Sequence, residues 1–547
     1  MIDFRTTPEQ YRHWQIRYDG AVAYVDMAVD ENGGLFEGYQ LKMNSYDLGV
    51  DIELNDIVHR LRFEHPEIQT VVLGSANDKI FCAGANILML GGAPHAHKVN
   101  FCKFTNETRN SIEEATAESG QTWMCAIAGT AAGGGYELAL ATDHILMVDD
   151  GTTTVSLPEV PLLAVLPGTG GLTRVTDKRK VRRDLADIFC STEDGVRGQR
   201  AVDWRLVDEI APASKFKAAV AERAQALTER SDRPQNASGI ALSPLQRDDS
   251  ADAIVYSQVR VDIDRSKRTA TFTLNGPSDV APSNTDAATA QGADFWPLTV
   301  ARELDDAILH LRLNEMTVGT WLLKTVGNDE NFAGYESLLE EEHWFMREVR
   351  LMWKRTLKRL DVTSRTLITL IEPGSCFSGL YAELVFLADR SYMLEGQWDG
   401  DDTPEATLRL SKLNFGPMPM CNDLTRLETR FLGDPDSVQN AEKSLGKALN
   451  AEMANELGLV TEVFDDIDWD EELRLLLEER VSMSPDALTG LEANLRFPGP
   501  ETMESRIFGR LTAWQNWIFQ RPNAVGKEGA LQLYGTGTRA NYNQERV

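Results

Sequence analysis

The sequence predicts an α/β protein of two tandem copies of one unit followed by a helical C-terminal extension. Three observations carry this expectation: a collinear internal repeat, helical apolar spacing alternating with short buried-strand runs, and a length of 547 residues, too long for one ordinary core. The repeat begins at Glu53-Leu-Asn-Asp-Ile-Val-His-Arg-Leu-Arg-Phe-Glu, followed by Val71-Val-Leu. It returns as Glu303-Leu-Asp-Asp-Ala-Ile-Leu-His-Leu-Arg-Leu-Asn, followed by Trp321-Leu-Leu, at an offset of 250 positions. In each copy the first part has the period of an amphipathic helix and the second is an apolar run of the buried-strand kind.

Three further anchors follow in the same order. Glu137-Leu-Ala-Leu-Ala-Thr-Asp143 matches Glu383-Leu-Val-Phe-Leu-Ala-Asp389 with the same Glu-to-Asp spacing. Pro167-Gly-Thr-Gly-Gly-Leu-Thr-Arg174 matches Pro419-Met-Cys-Asn-Asp-Leu-Thr-Arg426, and Leu206-Val-Asp-Glu-Ile matches Leu459-Val-Thr-Glu-Val. The expected boundaries are residues 1–250 for a first unit, 251–470 for a second and 471–547 for the extension. Residues 228–253 read as a polar linker and 277–293 as a surface loop. In the extension, Pro500 should open a helix whose Met503, Ile507, Leu511, Trp514 and Ile518 pack against the body.

Composition narrows the function. A hydrophobic content of 42% with 25% charged residues is that of a globular chain, and no apolar run approaches the roughly twenty residues of a membrane span. The start lacks a secretory pattern, so the cytoplasm is expected. Cys82, Cys102, Cys125, Cys190, Cys376 and Cys421 have no paired spacing and read as reduced thiols, with no structural metal. His95 and His97, without a third ligand nearby, read as a solvated loop. A net charge of −29 disfavours nucleic acid and anionic membranes as partners.

Chemistry concentrates in the first unit. In Ile127-Ala-Gly-Thr-Ala-Ala-Gly-Gly-Gly135-Tyr-Glu137, a strand runs through three glycines into a helix, so free amides can face a ligand carbonyl with no side chain in the way. Upstream, Lys79-Ile-Phe-Cys-Ala-Gly-Ala85-Asn86 is another small-residue bend that could supply a second amide. Downstream, Ser156-Leu-Pro158-Glu159 places a second carboxylate in a Pro-bounded loop, and two carboxylates in one pocket suit water activation and proton delivery.

These three segments together resemble the crotonase (enoyl-CoA hydratase/isomerase) superfamily, well over the first 215 residues and in degenerate form over 255–470. The resemblance implies a ββα-spiral fold for both units. It implies that the Ala85 and Gly134 amides bind the thioester oxygen of an acyl-CoA, with Glu137 and Glu159 as acid/base residues. Cys82, Gly84, Asn86, Gly133 and Cys102 are then expected to line the substrate site, and Asn86 stands where the family usually has Asp. Coenzyme A belongs to the substrate and no separate cofactor is expected. The second copy carries bulk in Gly374-Ser-Cys-Phe-Ser-Gly-Leu-Tyr-Ala-Glu383 and lacks a Pro-Glu loop, so a structural role is expected there. A fused pair favours a homodimer.

The double unit with its ending Trp517-Ile-Phe-Gln-Arg521-Pro-Asn-Ala-Val-Gly-Lys resembles superfamily members that open the ring of 2,3-epoxybenzoyl-CoA with two waters. That resemblance implies 3,4-dehydroadipyl-CoA semialdehyde and formate as products, in aerobic benzoyl-CoA degradation. An ordinary enoyl-CoA hydratase or isomerase with an appended half would use the same groups. A non-catalytic acyl-CoA-binding scaffold would more readily have lost Glu137 and Glu159.

Overall fold

Alternation of long strand, short strand and helix governs the chain from Thr70 to Leu163. The computed structural model describes residues 1–547, which form two units, Phe4–Pro244 and Leu245–Val547 together with Met1–Asp3. In the first unit, β1 (Trp14–Asp19) and β2 (Val22–Met27) make an antiparallel hairpin. Asp47 caps α1 (Leu48–Phe63) by accepting from the Val50 amide at 3.1 Å, satisfying one of the helix's free donors.

Three ββα turns follow. The first is β3 (Thr70–Ser75), β4 (Ile80–Cys82), α2 (Ile87–Gly92) and α3 (His95–Glu118); the second is β5 (Thr122–Ile127), β6 (Thr130–Ala132) and α4 (Gly134–Ala141). The third is β7 (His144–Asp149), β8 (Val155–Ser156) and α5 (Glu159–Leu163). Long strands join β1, β2 and β9 (Glu209–Pro212) in one sheet of order β1-β2-β3-β5-β7-β9, parallel from β2 onward. Short strands form a separate parallel sheet β4-β6-β8, so every turn drops the chain from one sheet to the other just before its helix. β5, Thr-Trp-Met-Cys-Ala-Ile, is buried along its whole length, the pattern of a parallel strand covered on both faces. The helix Phe216–Thr228 covers one face, its Val220, Ala224 and Leu227 packing on Val72, Met124 and Leu146. His95 and His97 lie in the first turn of α3, not in a loop.

The expected linker differs from its composition. Residues up to Pro244 belong to the first unit, because Arg233 is buried and its guanidinium donates to the carbonyls of Arg62 at 3.0 Å and Pro66 at 3.1 Å and to the Ser119 hydroxyl at 2.7 Å. A cation at the ends of α1 and α3 satisfies carbonyls that a helix terminus leaves open. The Ile240 amide continues the attachment to Phe63 O at 2.9 Å.

In the second unit an eight-stranded sheet runs in the order Asp248–Asp249, Ala253–Val255, Val259–Asp264, Thr269–Asn275, Thr320–Val326, Thr366–Ile371, Arg390–Leu394, Glu462–Phe464. It is antiparallel up to Thr269–Asn275 and parallel beyond. A short parallel pair, Phe377–Ser378 with Leu408–Arg409, stands apart from it. The expected surface loop at 277–293 contains a helix, Thr285–Gln291, capped by Asn284. The segment after Asp470 is part of this unit: Trp469 and Leu473 of the helix Trp469–Ser482 pack on Leu322, Ile368 and Tyr392 of the sheet.

The apolar stripe of the extension behaves differently from its spacing. Met503, Ile507 and Leu511 are exposed, while Trp514 and Ile518 lie against Gly490. A π turn at Ile507–Leu511 is the physical reason, since one extra residue in a turn rotates the positions after it away from those before it. The helix opens at Met503 with Thr502 as its cap, so Pro500 lies outside its first turn.

Replacing Arg233 by Ala leaves several buried carbonyls without a donor. The first unit's urea transition should move down by about 3 kcal/mol, and residues 229–244 should become cleavable in limited proteolysis.

Candidate active site

Two chain reversals define the site. Leaving β4, the chain turns at Gly84 with φ +89°, where a Cβ would lie 2.8 Å from the Ala132 carbonyl and 2.9 Å from the Gly134 nitrogen. Leaving β6, it turns at Gly133 with φ +51°, where a Cβ would lie 2.8 Å from a Glu159 carboxyl oxygen. A side chain is excluded at both by backbone conformation and by space. A Cβ on Gly134 would stand 3.2 Å from the Ala85 nitrogen, so the Ala85 and Gly134 amides are close neighbours. Neither donates to a protein acceptor.

A buried cluster ties the two bends together. Tyr46 pairs its backbone with the first, its amide donating to Gly84 O and its carbonyl accepting from the Asn86 amide, both at 2.8 Å. Its phenol donates to Asp51, which also accepts from the Thr108 hydroxyl at 2.6 Å. Arg109 lies 3.8 Å from Asp51 and donates to the Gly134 carbonyl of the second bend at 3.1 Å and to Thr105 O at 2.9 Å. Burial pushes the Asp51 carboxyl up from its ordinary value, with Arg109 acting against that shift.

The two glutamates sit in unlike surroundings. Glu137, in the first turn of α4, is buried, and its carboxylate accepts from the Thr169 hydroxyl and, at 2.7 Å, from the Gly171 amide. Both oxygens are engaged by the 167–171 loop, which fixes the direction of the group. Glu159 opens α5 with its carboxyl over Gly133, and its Oε2 has no hydrogen-bond partner. Burial, and then the charge of Glu137, push it up to about 7.

Ala85, Gly134, Gly84, Gly133, Glu137 and Glu159 are thus brought together. Cys102 on α3 borders the same loop, since a Cβ on Gly168 would lie 3.5 Å from its sulfur, and burial pushes its thiol up to about 11. Cys82 and Asn86 depart from the expectation that they line the substrate site. The Cys82 thiol is fully buried and donates to Asn44 O at 3.0 Å while its sulfur accepts from the Gly84 amide at 3.3 Å, so it braces the bend from behind. The Asn86 carboxamide is spent on the fold: its oxygen caps α2 at the Met89 amide, 2.9 Å, and its nitrogen donates to Gln40 O at 2.8 Å and Ser45 Oγ at 3.0 Å. An ionised Asp could not make those last two bonds, which accounts for Asn at this position.

Sequence reading missed Thr169, Tyr46, Asp51 and Arg109. Thr169 stood inside a glycine-rich stretch read for its backbone, and the other three are scattered over α1, α3 and a loop with no motif to join them. In the second unit Glu383 is closed off, accepting from Asn414 at 2.7 Å and pairing with Arg426 at 2.8 Å, while Arg426 also pairs with Asp361.

Two unengaged main-chain amides beside a pair of buried carboxylates can polarise a carbonyl and exchange protons with what binds there. The family model for enoyl-CoA hydratase/isomerase matches residues 40–250. A benzoyl-CoA-dihydrodiol lyase of Aromatoleum evansii is 54% identical over 551 aligned positions, covering 100% of this chain and 98% of the relative. Among solved structures, an enoyl-CoA hydratase of Bacillus anthracis is 25% identical, covering 39% of this chain and 76% of its own, with a TM-score of 0.34. One from Geobacillus kaustophilus HTA426 is 30% identical over 40% of this chain and 75% of its own, with a TM-score of 0.35. The chain belongs to the enoyl-CoA hydratase/isomerase (crotonase) family. Within that family it is an enzyme of the lyase branch, related over its full length to the Aromatoleum protein. No helix is long and apolar enough to cross a membrane.

Two measurements test the site. Glu159 holds a proton in the folded chain up to about pH 7 but loses it near its ordinary 4.5 when unfolded. The folded state therefore binds more protons between those values, and Glu159 makes stability fall as pH rises through that window and stay level above it. Glu159→Gln should remove this slope when melting curves of the two proteins are compared between pH 4.5 and 8. Arg109→Leu should lower the first unit's urea transition by about 3–5 kcal/mol, because it leaves Asp51 buried without its cation, and adding Asp51→Asn should recover part of that loss.

Proposed function

We propose that the chain opens the ring of 2,3-epoxybenzoyl-CoA with two waters, giving 3,4-dehydroadipyl-CoA semialdehyde and formate, as part of aerobic benzoyl-CoA degradation. The observation that carries this reading is the end-to-end identity to a benzoyl-CoA-dihydrodiol lyase. The site supports it physically. The thioester oxygen accepts from the Ala85 and Gly134 amides, and charge developing on that oxygen during bond cleavage is stabilised by donors already in place. Losing one such donor typically costs about 3 kcal/mol of transition-state stabilisation.

Glu159 acts as the base that takes a proton from water, because its Oε2 is unengaged and it ionises near neutrality. Glu137, held in one direction by Thr169 and Gly171, is the second acid/base residue and passes a proton taken from water to the departing oxygen. Carbon–carbon scission then uses the thioester as electron sink. The exposed Ile87, Leu88, Leu162 and Leu166, on the segments that follow the Ala85 bend and Glu159, offer apolar surface for an aromatic acyl group. No cofactor is needed beyond the coenzyme A that the substrate carries.

We assign the second unit as a degenerate copy of the first. Support comes from the four sequence anchors, an antiparallel start followed by parallel strands, and a separate short parallel pair. A homodimer in the cytoplasm completes the proposal.

Supplying epoxidised benzoyl-CoA should release one formate per substrate, with crotonyl-CoA hydration as the control. Hydration of crotonyl-CoA without formate would assign an ordinary hydratase instead, and binding of both without turnover would assign a scaffold. Glu137→Gln and Glu159→Gln should each lower kcat by about 10²–10⁴-fold with KM little changed, the signature of groups acting in the transition state. In the unmodified enzyme kcat/KM should rise with pH to a plateau, half-maximal near pH 7, as Glu159 of the free enzyme ionises. Full turnover in both variants would defeat the assignment.

A further inference from the structure

The second unit repeats the bend that delivers Gly134. Gly379 has φ +49°, Gly133 has +51°, and each stands four residues before the glutamate of its copy, Glu383 or Glu137. Each donates its amide to the adjoining short strand, Gly133 to Ser156 O at 2.9 Å and Gly379 to Arg409 O at 3.0 Å. The amide that follows, Leu380, is therefore the counterpart of the Gly134 amide. It is not free. It donates to the Glu336 carboxylate at 2.9 Å in a buried setting.

Glu336 comes from the helix Phe332–Glu340. That helix lies in the sequence interval between the strand Thr320–Val326 and the helix Trp344–Asp361, where the first unit has β4, the Ala85 bend and α2. The bend is shaped around this carboxyl, since a Cβ on Gly379 would overlap it. Glu336 is 6% exposed; burial, and to a lesser degree the charge of Glu340, push its carboxyl up to about 7, while the Leu380 amide and the Ser411 hydroxyl directed at it favour the ionised form.

The geometry points to a self-occupied oxyanion site: the second unit retains one donor of the hole and fills it with its own carboxylate, Glu336, in the place a ligand oxygen would take. No acyl-CoA thioester can then enter, so substrate chemistry is confined to the first unit. The chemical class this bend accepts is a small carboxylate, and cutting Glu336 back to Ala removes a carboxymethyl group the size of acetate. This inference rests on the proposed reading of the second unit as a copy of the first and of the Gly134 amide as a carbonyl donor, and not on which acyl-CoA reacts.

The test uses the full chain and sodium acetate, with sodium chloride at equal ionic strength as the control. Glu336→Ala should melt below the unmodified protein, because the Leu380 amide loses its buried acceptor. Acetate should raise the melting temperature of Glu336→Ala saturably, while leaving the unmodified protein and Glu336→Gln at their chloride values. Equal effects of acetate and chloride on Glu336→Ala, or a Glu336→Ala protein as stable as the parent, would overturn the proposal. If Glu336→Ala does not fold, hydrogen exchange in the parent and in Glu336→Gln decides. Slow exchange at Leu380 in both supports the internal ligand, and exchange at the rate of an exposed amide refutes it.

Discussion

Two main-chain reversals must meet with their amides side by side, and that requirement shapes the first unit. Positive φ at Gly84 and Gly133 turns the chain, and the missing side chains let one bend lie against the other. Such a contact has no side chains of its own to hold it, so the holding is done from beneath. Tyr46 fixes the first bend through its backbone, Arg109 fixes the second through the Gly134 carbonyl, and Asp51 joins the two. Buried ionic groups of this kind add little net stability against an apolar alternative; what they fix is one relative placement of the groups they join. Placement is what the proposed role needs, because a donor pair stabilises developing charge best when it requires no rearrangement as the charge appears.

The same logic separates the glutamates. Glu137 has both oxygens committed to Thr169 and Gly171 and is held in one direction. Glu159 stands over Gly133 with an oxygen unengaged and a proton affinity near neutrality, raised by burial and by its charged neighbour. Two chemically identical side chains are thus given an oriented role and a titrating role by their surroundings alone. The glycine at 133 serves both ends of this arrangement, since the space that lets the amide turn is also the space the Glu159 carboxyl faces.

Much of this was legible in the sequence, for physical reasons. Glycine triplets and small-residue bends advertise backbone that must come close to something, and parallel strands advertise themselves as unbroken apolar runs, as in Thr122–Ile127. Side-chain destinations were not legible. Cys82 and Asn86 sit in the motif, yet their polar atoms turn inward to Asn44, Gln40 and Ser45, because a tight bend has its own unsatisfied groups to pair. The Tyr46, Asp51 and Arg109 cluster is drawn from three separated segments and has no spacing that announces it. Arg233 was hidden in a stretch whose polar composition suggested a free linker, although its guanidinium docks that stretch. The extension's stripe misled in the opposite direction, because a π turn is invisible to a 3.6-residue count.

In the second unit, proposed here to be a copy without substrate, the polar groups of the bend still lie in a folded interior. A buried amide without an acceptor and a buried carboxylate without a partner each cost more than the fold gains from the residues around them. Glu383 is held by Asn414 and Arg426, and the Leu380 amide is met by Glu336. Arg426 in turn needs the second acid, Asp361, to balance its own burial. The Leu380 amide and the buried carboxylates around this bend are thus paired within the chain. The first unit stands at the other limit of the same constraint: it leaves the Ala85 and Gly134 amides and Glu159 Oε2 without protein partners, so these groups are open to the atoms a bound ligand would supply.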